Sequence, residues 1–309
     1  MRATATYLNT AVGPDDTYLL PGSERVLVKE PFVYRAWKWA IQQLTGRRSG
    51  DQLERLDTVD WDLLVILDAC RADVLRSVAE WPVPAATSPA SCTPEWLRCV
   101  ADARMFDNAH IVTANPQYDD VDLGAAAVEP YWKSHWDDAR QTVLPEPVLD
   151  RVDDLLADGT RRIVAHLQQP HWPYVAMLDG SWYLACEDLG PWHTEGSDDL
   201  IESVQVAQAR GRIDASRAEM AYWSSIHSVW DTLEPYLAAW MDRAHRVVVT
   251  ADHGETFGAT RDFRFYEHPC MCHVRPLTEV PFVEFAGTEP DATAGSAVED
   301  RLKALGYTE

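Results

Sequence analysis

A doubly wound α/β fold, with a mostly parallel sheet flanked by helices, is what the sequence predicts, on three observations. Near-continuous apolar runs recur at 63–67, 163–167, 247–250 and 280–285, and such runs read as strands covered on both faces. Segments of helical periodicity lie between them, the alternation expected of βαβ units. Two of the runs end on residues able to do chemistry, Asp68 and Asp252-His253, at the carboxyl ends of strands where a doubly wound sheet keeps its ligands.

The elements follow in order. Residues 1–24 are polar, with turn signals at Gly13-Pro14 and Pro21-Gly22, and read as a loose arm. Val33, Trp37, Ala40, Ile41 and Leu44 then recur at helical spacing up to Gly46. Residues 1–46 are thus an N-terminal arm and helix packed on the core, and 47–309 one α/β domain. Leu63 to Leu67 is the first core strand, followed by a helix from Arg71 to Glu80 that Pro82 and Pro84 close. Residues 87–94 are small and turn-prone, and Pro94 suits the first turn of a helix carrying Trp96, Leu97 and Val100. His110–Thr113 and Ile163–Leu167 are further strands, the second preceded by a helix near 147–157. Residues 179–200, rich in Trp, Gly and acid, read as a lid. Met220, Trp223, Ile226, Trp230, Leu233, Leu237 and Trp240 mark a long amphipathic helix that Pro235 can kink. Val247–Thr250 and Val280–Phe285 are the last strands, and a short helix near 296–305 ends the chain.

Composition narrows the function. The 309 residues carry 49 acidic against 27 basic side chains, a net charge of −22. Such a surface repels phosphate backbones, which excludes nucleic acid as the expected partner. Asp outnumbers Glu 30 to 19, and Lys29, Lys38, Lys133 and Lys303 are the only lysines. High Asp with scarce Lys resembles halophilic, and specifically haloarchaeal, proteins. Six cysteines with no CxxC pair are neither a small disulfide scaffold nor a usual zinc knuckle. The N-terminus lacks an apolar leader-like run and no stretch approaches 18 apolar residues, so a cytoplasmic protein without a transmembrane segment is expected.

Asp68, Asp252 and His253 offer carboxylate oxygens and an imidazole, a donor set for one divalent cation such as Zn²⁺ or Mn²⁺. Adjacent Asp and His on an extended strand point to opposite sides. Aiming both at one ion requires a sharp turn, for which Gly254 is placed.

LDACRADVL at 67–75, HLQQPHWPY at 166–174, VVVTADHGE at 247–255, and YEHP followed by LTEVPFVEF at 277–285 appear in one order along the chain. In that order they resemble the alkaline phosphatase/sulfatase superfamily, especially its metal-dependent phosphoglycerol and phosphoethanolamine transferases. The resemblance spans residues 62–285. It implies an alkaline-phosphatase-like catalytic domain acting on an anionic phosphate or sulfate ester. It also implies a nucleophile within TSPASCTPEW, with Thr93 as first choice, Cys92 as rival and Ser91 third.

Thr93 would both attack and bind the metal, since coordination makes a hydroxyl nucleophilic near neutral pH. Cys92-Thr93-Pro94 opens like the sulfatase C-x-P-x-R motif, but Trp96 stands where the arginine belongs and Ala69 follows Asp68 in place of a second acid. Both departures point away from Ca²⁺ and sulfate, toward phosphate chemistry. HLQQPH lacks the Asp of the second ligand set found in two-metal members, so the resemblance implies one metal, held by Asp68, Thr93, Asp252 and His253. By resemblance His171 serves as acid or hydrogen-bond donor. His268, with His273 as alternate, contacts substrate, and Arg71 can bind an anionic oxygen. The expected function is a metal-dependent hydrolase or transferase working through a covalent threonine intermediate. The alternative is a degenerate member that binds an anionic glycan or partner protein without turnover.

Overall fold

The computed structural model describes residues 17–19, 26–28, 32–45, 50–79, 83–186, 200–201, 208, 213–243 and 245–286. A short helix, α1 (Phe32–Thr45), precedes the main sheet. The sheet is built from β1 (Leu63–Asp68), β2 (Ala85–Thr87), β3 (His110–Thr113), β4 (Ala127–Pro130), β5 (Ile163–Pro170), β6 (Val247–Thr250) and β7 (Glu279–Phe285). Helices α2 (Ala72–Val78), α3 (Thr93–Asp102), α4 (Pro145–Ala157) and α5 (Ala215–Asp242) flank it. The strand order is β2-β7-β6-β1-β5-β3-β4. β6, β1, β5, β3 and β4 run parallel, while β7 is antiparallel to β6 and to β2. The doubly wound, mostly parallel fold expected from the apolar runs is the one observed.

Every residue of β1 is buried, which is why its sequence is apolar without alternation. Each of its aliphatic side chains contributes roughly 1.5–3 kcal/mol through burial. The register matters more for function. Ile66 of β1 pairs with Thr250 of β6 on one side and with His166 of β5 on the other. Three parallel neighbours therefore bring Asp68, His166 and the Ala251-Asp252-His253 turn to one level at the carboxyl edge.

Differences from the expected elements have local reasons. β2 and β4 are short and proline-flanked, β4 ending on Pro130 itself, so their apolar runs are too brief to read as strands. The first part of the expected lid is a hairpin, Val175–Leu178 against Ser181–Leu184. The long helix expected over 220–240 is observed as α5, with Pro235 inside it. α1 packs through Tyr34 and Ile41 on a small cluster of Phe265, Cys272, Val274 and Leu277. Most of the 1–24 arm, Gly46, Glu80, the rest of the lid and the 296–305 helix lie outside the described residues. No helix among the described residues is long and apolar enough to cross a membrane.

No disulfide framework was expected, yet one bridge is present. Cys92, immediately before α3, is bonded to Cys270 across 178 residues of sequence. Two cysteines so far apart leave no spacing pattern to read.

Candidate active site

Asp68 ends β1, and the chain then turns through Ala69 in the left-handed region (φ 59°). That turn aims the Ala69 N–H at Asp252 Oδ1, 3.1 Å away. At the end of β6, Gly254 permits the turn that the sequence requires. A Cβ there would lie 2.1 Å from the Pro276 carbonyl oxygen, and the Gly254 N–H donates to the Leu277 carbonyl. Only glycine fits this close backbone approach. The turn lets His253 Nδ1 reach the Gly254 carbonyl at 2.8 Å. Nδ1 is therefore the donor, and Nε2 is left with a bare lone pair.

Thr93 opens α3 with Pro94 behind it. Its hydroxyl donates to Asp252 Oδ2 at 2.6 Å and lies 3.2 Å from His253 Nε2. His253 Nε2 is 3.4 Å from Asp252 Oδ2 and 3.7 Å from Asp68 Oδ1. The four residues named from the sequence as a metal set are thus gathered at one buried point. Cys92 faces elsewhere and has no thiol, being half of the disulfide. The Ser91 hydroxyl is buried, donating to the Pro269 carbonyl and accepting from the Cys272 N–H.

The donors fit a cation. Ligands of a tetrahedral ion at about 2.0–2.2 Å sit about 3.3–3.6 Å apart, close to the His253 separations above. One ligand atom each from Asp68, Asp252 and His253 lies within 4.8 Å of the others. Asp68 Oδ1 and His166 Nε2 are buried with no hydrogen-bond partner, a costly state that a cation beside them would relieve. Burial, and then the Asp252 charge, push the Asp68 carboxyl well above its ordinary range. Burial also acts to raise Asp252, but His253 and His166, with the Thr93 hydrogen bond, hold it below that range.

His166, in the middle of β5, also belongs to this cluster. Its Nε2 lies 3.9 Å from Asp68 Oδ2 and 4.0 Å from Asp252 Oδ2, and its Nδ1 meets the Tyr118 hydroxyl at 2.9 Å. Burial depresses its pKa to about 4, so the ring is neutral. Asn115 Nδ2 donates to Asp68 Oδ2 at 2.6 Å. Neither Asn115 nor Tyr118 carries a sequence signal, because only the fold brings the loop after β3 to this edge.

Two partly exposed histidines stand beyond the cluster. The ring of His268 is 4.4 Å from that of His253 and 4.9 Å from that of His171, centroid to centroid. Burial acts to lower the His268 pKa, but Glu255, whose Oε2 is 3.0 Å from Nδ1, raises it above the usual value. Glu255 is a further residue that sequence reasoning missed, although it closes the quoted VVVTADHGE run. His171 is pushed down to about 4, first by burial and then by His268.

His273, the alternate for His268, instead meets Glu95 Oε1 at 2.8 Å, away from the cluster. The guanidinium hydrogen bonds of Arg71 go to neither Asp68 nor Asp252. Its guanidinium donates to both oxygens of Asp73, to the Glu255 carbonyl and to Asp262, so it braces the turn that carries Glu255. Trp96, at the sulfatase arginine position, is wholly buried and donates to Gln52.

No family model and no curated protein sequence matches this chain. Solved structures do share its fold. The soluble domain of lipooligosaccharide phosphoethanolamine transferase A from Neisseria meningitidis aligns with a TM-score of 0.50 at 13% identity, over 72% of this chain and 75% of that one. The integral membrane form of that transferase, also from Neisseria meningitidis, aligns with a TM-score of 0.51 at 12% identity. That alignment covers 90% of this chain but 57% of the other, so the chain spans little more than half of the membrane protein's length. At these identities the likeness is one of fold.

Proposed function

We propose that the chain is a metal-dependent phosphoester transferase or hydrolase of the alkaline phosphatase superfamily, with Thr93 as nucleophile. The observation that carries this reading is the Thr93 hydroxyl, 2.6 Å from Asp252 and 3.2 Å from His253 at a point where unsatisfied buried donors converge. The fold shared with two phosphoethanolamine transferase structures supports it. Asp68, Asp252, His253 and Thr93 would hold one divalent cation, with His166 beside them. When bound, that cation supplies Lewis-acid stabilisation of phosphoryl charge and lowers the pKa of the threonine hydroxyl. The oxygen and imidazole donors suit Zn²⁺ or Mn²⁺.

The residues then divide the work. Thr93 Oγ1 attacks phosphorus, forming the Oγ–P bond as the ester P–O bond breaks, its hydroxyl proton having been given up to solvent. The start of α3 presents backbone N–H groups to the phosphoryl oxygens. Glu255 favours the protonated form of His268, which contacts the anionic oxygens and protonates the leaving alkoxide. His171, neutral, donates Nδ1–H to the Trp172 carbonyl at 2.6 Å, so its Nε2 is a hydrogen-bond acceptor for the incoming alcohol or water and not a donor to the phosphoryl oxygens. Water or an acceptor alcohol releases the phosphothreonine.

A screen of nitrophenyl phosphate, a nitrophenyl phosphodiester and nitrophenyl sulfate, each with Mn²⁺ or Zn²⁺, tests this. Turnover of a phosphoester that chelation abolishes and metal restores is expected. Protein that holds no metal and turns over none of them would be the non-catalytic binder.

The halophilic reading is also ours to propose, on the charge of −22 and four lysines. The melting temperature should keep rising toward molar KCl, past the point at about 1 M where the screening length is only about 3 Å. A flat or falling curve over that range would remove it.

A further inference from the structure

We propose that the Cys92–Cys270 disulfide is part of the active geometry, joining the nucleophile's turn to the loop that carries His268, so that the enzyme works oxidised and is silenced by a dithiol. This rests on the phosphoryl-transfer reading above. Cys92 is the residue immediately before Thr93, and Cys270 lies two residues after His268. The bond therefore ties together the two sides between which a substrate would sit.

The contacts around it show how the two segments depend on one another. Glu95, one turn into α3, accepts from the Ser91 and Met271 N–H groups and meets His273 Nε2. Ser91 bridges to Pro269 and Cys272. These are hydrogen bonds between the same two short segments, and the disulfide is the covalent link among them. Reduction adds two electrons and two protons, converting the bridge to two Sγ–H groups while the dithiol closes to its own disulfide. Two thiols cannot approach as closely as bonded sulfurs, so Cys92 and Cys270 must part. The displacement falls on their neighbours Thr93 and His268, where misplacement by about 1 Å costs on the order of 10²-fold in rate.

The nearby thiol does not undo the bond from within. Cys272 is buried, and burial pushes its pKa up to about 12, leaving almost no thiolate to attack at neutral pH. The reductant must come from outside, through Cys270, which is only partly buried. A bridge of this kind persists where the surroundings are oxidising.

The test compares Mn²⁺-loaded protein as isolated, after reduction by a water-soluble phosphine (which donates two electrons and takes its oxygen from water), and after reoxidation. A Cys92→Ser/Cys270→Ser double variant accompanies it. Thiol titration of denatured protein, turnover of nitrophenyl phosphate, Mn²⁺ affinity and amide hydrogen exchange over 264–274 are followed. Reduction should add two thiols per chain, lower kcat at least tenfold, weaken Mn²⁺ binding severalfold through the displaced Thr93 and speed exchange in that loop, with recovery on reoxidation. The double variant should match the reduced state. Full turnover and unchanged exchange in protein that has gained both thiols would overturn the proposal, as would isolated protein that gains none. If no state turns over substrate, the enzymatic reading fails on its own, and the exchange measurement alone decides whether the bond holds the loop.

Discussion

Thr93→Ala is expected to lower kcat/KM for a phosphate ester by three or more orders of magnitude while leaving the fold intact. Losing the hydroxyl removes the attacking atom and one cation donor together, and groups that act as a unit fail as a unit. The side chain is small and sits at the start of α3, where Pro94 still sets the backbone, so helix formation survives the change. Thr93→Ser retains the hydroxyl and should recover activity to within roughly tenfold, since a serine Oγ can make the same 2.6 Å bond to Asp252. Trapping labelled phosphate on the protein after an acid quench gives a second readout: label on the wild type and none on Thr93→Ala. A Thr93→Ala enzyme with near-normal turnover would exclude this residue as nucleophile.

How much of this was legible beforehand depends on how local each signal is. Asp68 and Asp252-His253 stand out because a parallel strand buried on both faces is apolar to its end, so the first charged residue marks the carboxyl edge. The choice among Ser91, Cys92 and Thr93 could not be made from spacing. It turns on which way three consecutive side chains face, and only packing decides that: Ser91 bonds to Pro269, Cys92 to Cys270, and Thr93 alone turns to Asp252. Asn115, Tyr118 and Glu95 act through partners 47, 48 and 178 residues away, and no periodicity encodes contacts of that range. Arg71 shows the opposite limit. Three residues from Asp68, it looked placed for an anion, but Asp73 two residues on and Asp262 from a distant turn occupy its guanidinium first.

The second large effect concerns the cation. Adding Zn²⁺ or Mn²⁺ to metal-stripped protein should raise its stability by about 4 kcal/mol at a free concentration a thousand times the dissociation constant. For a chain of 309 residues that is a rise in melting temperature of roughly 6 °C. The reason lies in the Asp68 and Asp252 carboxyls, buried side by side: burial and the neighbouring charge drive Asp68 toward its protonated form, and a cation makes that proton unnecessary. Asp252→Asn should split the two contributions. It removes one of the paired negative charges, which relieves Asp68, but also a carboxylate that His253, His166 and the Thr93 hydroxyl favour in its charged form, so the metal-free variant should melt somewhat below metal-free wild type. It also removes a charged ligand, so calorimetry should show at least a hundredfold weaker binding, and the melting temperature should respond to metal by no more than about a third of the wild-type shift. His166→Gln should fall between, because His166 Nε2 is about 4 Å from both carboxylates. The decisive comparison is the metal-dependent shift itself. If wild type and Asp252→Asn respond alike to Zn²⁺ and Mn²⁺, the cluster at the ends of β1 and β6 binds no cation, and Thr93 loses the group proposed to activate it.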